Sequence, residues 1–156
     1  MIWRVLTVRQ PWAWAIMMGF KPVENRTQNL AGTYRGPVLI HAGQAYADPV
    51  SAGRCLSLAG ITESQGWAES PMGQTGVILG SVDLVDVHRS ARYSHGLPVC
   101  FADPAPACNS LWAESGAVHH AIRDPRRLRH PIPEQGRLGL WSWHGPSQLV
   151  FEDEAA

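Results

Sequence analysis

A chain of 156 residues, 45% of them hydrophobic, is expected to form one domain, and a chain of that size buries roughly 68–70% of its unfolded surface. Thirteen basic residues balance thirteen acidic ones, which excludes a global field that gathers nucleic acid and leaves only a local patch for such binding. Cys55, Cys100 and Cys108 lack C-x-x-C spacing and fit reduced thiols, Met1-Ile2-Trp3-Arg4 opens without a signal-peptide core, and no apolar run reaches the ~18–20 residues that span a bilayer, so a cytoplasmic location away from membranes is expected.

Ile2 to Val8 alternates and is β-prone, which predicts a strand. Pro11 suits the first turn of a short apolar helix, Trp12 to Met18, with Gly19 as its C-terminal cap. Pro22 disfavours helical geometry at Lys21, so Lys21 leaves the helix extended and a strand begins near Val23. Gly36 to Ala42 reads as a buried strand. Asp48-Pro49 opens a second helix that runs to about Ala59 and stops at Gly60. Ser64 to Gln74 reads as a loop. Thr75 to His88 is the strongest strand signal, with a bend or bulge at Gly80. Residues 89–110 read as irregular. Ala117 to Ile122 and Gly139 to His144 read as closing strands, joined by the connection Pro131-Ile132-Pro133. The acidic tail, residues 147–156, is expected to fray at its end. About six strands with two or three short helices, and fifteen glycines and twelve prolines for turns, predict an α+β, mainly β fold: a small closed or partly closed β-barrel.

The densest polar chemistry surrounds the only lysine, Lys21, in Gly19-Phe20-Lys21-Pro22-Val23-Glu24-Asn25-Arg26-Thr27; the other cations are twelve arginines. Lysine, unlike arginine, readily loses its proton on burial and can serve as base or nucleophile. On an extended strand Glu24 and Arg26 share a face, and Lys21 lies close enough to join them. A carboxylate between two cations stays ionised. Arg26 and Arg9 can contact phosphate or a base edge, Gln10 can hydrogen-bond a base, and Trp12 can offer a stacking face worth on the order of 1–3 kcal/mol per base. The plainer alternative is a salt bridge tying strand to helix.

The blocks LTVRQPWAWAIMMGFKPVENRT, YRGPVLIHAG, GVILGSVDLVDV and DPRRLRHPIPEQGRLGLWSW, in that order, resemble the ASCH domain of the PUA-like superfamily. The resemblance spans roughly residues 3–144, and its most specific part is the motif G-x-K-x-x-E-x-R. It implies a PUA-like barrel over residues 1–146, with a cleft beside the first helix. It also implies RNA binding or RNA-linked regulation, and in some smaller relatives removal of the acetyl group from acetylated cytidine; one relative is a nuclease. Lys21 matches the lysine of the amidohydrolases. Their threonine nucleophile, three positions on, is replaced here by Glu24, which suits a general base for water better than a nucleophile. Arg35 adjoins a family block and is a phosphate candidate.

His41 ends a strand and either contacts ligand or is a satisfied core histidine. The tandem His119-His120 points to opposite faces and cannot chelate one metal, and no other spacing suggests a metal. Asp83 and Asp86 fall on opposite faces of their strand. Arg123, Arg126, Arg127, Arg129 and Arg137 form a basic stretch that is either a phosphate-contacting rim or a solvated loop. No cofactor motif is present. Three functions remain in play: binding of RNA or a modified nucleoside through Arg9, Gln10, Trp12, Lys21, Glu24, Arg26, Arg35 and His41; hydrolysis in the same cleft by Lys21 and Glu24; or a protein-interaction module. The neutral charge and the absent threonine favour binding.

Overall fold

The computed structural model describes residues 1–61, 73–90 and 110–153. Cys100, Cys108, most of the expected loop at 64–74 and most of the irregular stretch at 89–110 lie outside them. The elements in chain order are β1 (Ile2–Gln10), α1 (Trp12–Met17), β2 (Val23–Arg26), β3 (Gly36–Tyr46), α2 (Pro49–Ala59), β4 (Val77–Arg89), β5 (Val118–Pro133) and β6 (Leu140–His144).

The strands form one mixed sheet in the order β2-β5-β4-β3-β1-β6. Only β1 and β3 run parallel. Leu6, Val38, Ile40, Val82, Leu84, Ile122 and Leu140, from five different strands, line one apolar interior. The sheet therefore coils about a shared core, as in a barrel, but β2 and β6 remain unpaired edges. At that open seam Arg26 Nη2 donates to Thr7 O at 2.6 Å, linking β2 to β1. Ala13, Ile16 and Met17 of α1 pack into the same core.

Local chemistry explains the boundaries that position the site. Gln10 Oε1 accepts from Trp14 N at 3.0 Å, completing the first turn of α1. The helix ends in a Schellman motif: Phe20 N donates to Ala15 O and Gly19 N to Ile16 O, with Gly19 at φ 78°, where a Cβ is costly. At α2, Asp48 accepts from Val50 N and Ser51 N. The β4 ladder shifts register between Ile78 and Gly80, the bulge expected at Gly80.

Two expectations change. The Pro131-Ile132-Pro133 connection and the arginine stretch before it belong to β5 itself. Prolines read as breaks, but the strand accommodates them where it leaves β4. Arg123 and Arg126, opposite Asp83 and Ser81, are three positions apart where the partners are two apart, and Arg127 and Ile132, opposite Gly80 and Ile78, are five apart. In the second gap β5 turns to the C-terminal segment: Leu128 bridges Phe151, and Arg129 N donates to Val150 O. That segment is therefore docked up to Asp153. Leu149 and Phe151 are buried against Val5, Leu39, Ile78 and Trp141, and Arg127 and Arg126 pair with Glu152 and Asp153.

Candidate functional site

The open seam forms a cleft of about 360 Å³ between β1, β2, the start of α1 and the segment ahead of β6. Small-ligand sites typically occupy about 300–1,000 Å³. One wall carries Thr7, Arg9 and Trp12, the floor Glu24 and Arg26, and the far wall Arg137 and Leu138. Leu138 is 99% exposed, an apolar side chain held free at the mouth.

Lys21, Glu24 and Arg26 come together. Lys21 Nζ donates to Glu24 Oε2 at 2.7 Å and to Val23 O. Arg26 Nε stands 3.0 Å from Glu24 Oε1, within ion-pair range, but its N–H is not aimed at that oxygen and makes no hydrogen bond. Lys21 is only 3% exposed and Glu24 7%. The Lys21 ammonium lies 5.7 Å from the centre of the Trp12 ring, which meets Trp112 edge-on at 6.1 Å. Trp12 is thus packed on Lys21 and Trp112 while still lining the cleft.

Burial pushes the Glu24 carboxyl pKa up, but the Lys21 and Arg26 charges and the Lys21 hydrogen bond outweigh it and hold it below the ordinary value. Glu24 is a fixed anion and a weak base. Its cross-strand neighbour His120 has its pKa lowered, chiefly by burial, and its Nε2 accepts from Leu30 N. It adds no cation under the cleft. Asn25 faces away from Glu24 and ties down the next loop, donating to Trp112 O and accepting from Glu114 N.

The remaining sequence candidates fall elsewhere. Gln10 is fully buried, with its amide donating to Gln74 O and accepting from Trp14 N, so it builds α1 and offers nothing to a base. His41 is fully buried, with Nε2 against Glu134 O and its ring edge-on to Trp141. It lies beneath the far wall of the cleft, not in it. Arg35 is exposed, bonds Gly32 O and Tyr34 O, and pairs with Asp86 at 3.6 Å, away from the cleft. Of the basic stretch only Arg137 reaches the cleft.

Thr7 and Leu138 were not anticipated, and Arg137 was not separated from the other arginines. The signal for Arg137 and Leu138 is Gly136-Arg137-Leu138-Gly139, a glycine-bracketed turn whose Gly139 has φ 73°. Gly136 has no room for a side chain, since a Cβ there would stand 2.7 Å from the His41 ring. Among the described residues no three His, Cys, Asp or Glu side chains gather as a metal site, and no helix is long and apolar enough to cross a membrane.

The family model "ASCH domain" matches residues 6–105. Among solved structures the chain is similar to ASCH from Zymomonas mobilis, at 18% identity over 83% of this chain and 71% of that one, with a TM-score of 0.39. It is also similar to a tyrosine-to-phenylalanine mutant of the same protein, at 18% identity over 83% and 73%, with a TM-score of 0.42. No curated protein matches.

Proposed function

The chain belongs to the ASCH domain family, and from that premise we propose that it is a cytoplasmic binding module whose cleft takes a short piece of single-stranded RNA or a modified nucleoside. The observation that carries this reading is the composition of the cleft. An aromatic ring, one fixed carboxylate and three arginines converge on a space of about 360 Å³. Trp12 supplies a stacking face that tolerates any base. Glu24 supplies an acceptor for an amino or imino group, and Arg9, Arg26 and Arg137 supply donors for acceptors on the base, sugar or backbone. Lys21 holds Glu24 ionised and in place from behind.

The alternative is hydrolysis in the same cleft, of an acylated cytidine or, less well supported, of RNA. It draws on the adjacency of Lys21 and Glu24 at 2.7 Å. Against it stands the depressed pKa of Glu24, since a general base works best with a pKa near the operating pH. The Lys21 ammonium is also committed to two acceptors. One experiment separates these readings: acetylated cytidine and short single-stranded RNA are each incubated with wild type and with Lys21→Ala. Binding without turnover is expected. Deacylation or cleavage by wild type that is lost in Lys21→Ala overturns the binding module in favour of the enzyme. If neither ligand binds or reacts, both readings fail and a protein-interaction role is left.

A further inference from the structure

We propose that the ligand carries a phosphate, clamped between Arg26 and Arg137, and that Trp141 is the positioning residue for both guanidinium groups. The inference rests on the cleft reading above and narrows it: the ligand is a nucleotide or a phosphodiester strand, and a free nucleoside lacks the group that the cleft grips.

Charge balance is the first argument. Arg9, Arg26 and Arg137 line the cleft, with Lys21 behind its floor, against the carboxylates of Glu24 and, beside Arg137, Glu134. Glu24 and Lys21 neutralise each other within a buried pair. Even with Glu134 set against Arg137, the three arginines leave a surplus of positive charge facing a concave space. A neutral base or sugar cannot offset it, whereas a phosphate can accept from two guanidinium groups at once.

Geometry is the second. Arg26 reaches the cleft from its floor and Arg137 from the far wall, and one side chain connects their supports. Trp141 of β6 is buried. Its Nε1 donates to Thr7 Oγ1 at 3.1 Å, and the carbonyl of the same Thr7 accepts from Arg26 Nη2 at 2.6 Å. The Arg137 guanidinium carbon lies 5.4 Å from the centre of the Trp141 ring, within cation–π range. His41 meets that ring edge-on from beneath. The Thr7 bond is the one hydrogen bond that the Arg26 guanidinium makes among the described residues, and Arg137 is held by its ring contact without a hydrogen bond. Both therefore present spare N–H groups; Arg26 is held besides by its ion pair with Glu24, and Trp141 touches the support of each.

The test is a calorimetric titration of the whole protein with the four ribonucleosides, their 5′- and 3′-monophosphates, and inorganic phosphate. For the preferred base, a monophosphate should bind at least ~10-fold tighter than its nucleoside, and inorganic phosphate should compete with it. Arg137→Gln should reduce that ratio to below ~3, with monophosphate affinity falling by more than nucleoside affinity. Trp141→Phe keeps a ring but removes the N–H, and should do the same. Thr7→Val should match it, while Thr7→Ser, which keeps the hydroxyl, should preserve the ratio. If nucleoside and monophosphate bind wild type equally, the clamp is refuted and the cleft reading survives. If no nucleoside or nucleotide binds, the cleft reading falls with it. If Trp141→Phe is folded and keeps the full ratio, Trp141 has no positioning role. Should that variant not fold, the wild-type ratio, Arg137→Gln and the two Thr7 variants decide the matter.

Discussion

Replacing Lys21 with methionine tests the buried pair at the floor of the cleft. Methionine keeps most of the side-chain volume and removes the charge. Breaking a buried ion pair from one side costs about 3–5 kcal/mol, because the other charge is left uncompensated. Arg26 stays 3.0 Å from the second carboxylate oxygen, so the low end, about 3 kcal/mol, applies here. That is a large share of the ~5–15 kcal/mol by which domains are usually stable. The pH dependence has a definite sign. In wild type the folded Glu24 pKa lies below its ordinary 4.5, so its stabilisation is complete above that value and is lost as pH falls through the folded pKa. In Lys21→Met, burial is opposed only by Arg26 and, less, by His120, and the folded pKa rises. The variant's buried carboxylate is then penalised at neutral pH and relieved by protonation in acid. Urea unfolding of both proteins at pH 7 and near pH 4 should show the stability gap narrowing at the lower pH. The double variant Lys21→Met/Glu24→Gln should recover part of the loss at pH 7, since the two sites are directly coupled. A gap below ~1 kcal/mol that does not change with pH would refute the argument.

Gly136→Ala places a Cβ within 2.7 Å of the His41 ring and 3.1 Å of the Thr7 methyl, so the far wall must lift; RNA or nucleotide affinity should fall by at least ~5-fold, read by fluorescence titration. Phe151→Ala should cost about 3 kcal/mol, as for other buried phenylalanines, measured by urea unfolding; a change below ~0.5 kcal/mol would mean that the C-terminal segment does not dock. Burial pushes the Cys55 thiol up to about 12, so mass spectrometry of the Cys55 peptide should find no alkylation by iodoacetamide at pH 8 until the protein is unfolded.

Much of the fold was legible because its punctuation is local. Pro11 and Gly19 bracket α1, and Asp48, Pro49 and Gly60 bracket α2, each through a cap that involves near neighbours. The Lys21–Glu24–Arg26 contact was legible for the same reason, being set by strand parity and by Pro22. What could not be read depends on distant segments. Pro125, Pro131 and Pro133 look like strand breaks until the C-terminal segment takes over the pairing around Leu128. Gln10 looks like a ligand contact, and His41 stays open between ligand contact and core, until Gln74 and Glu134 are brought against them. Arg137 is one arginine among five until Trp141 and Thr7 close the wall around it, and nothing near position 35 shows that Arg35 ends beside Asp86.

Nucleic-acid binding in this cleft is tested by an NMR titration of the isotopically labelled protein with a short single-stranded RNA of about four nucleotides, following backbone amides, tryptophan indoles and arginine side chains. Saturable shifts should be confined to Thr7, Arg9, Trp12, Glu24, Arg26 and residues 136–139, with Arg35 and the amide side chain of Gln10 unmoved. Shifts centred on Arg123, Arg126 and Arg127, or none at any concentration, would contradict it.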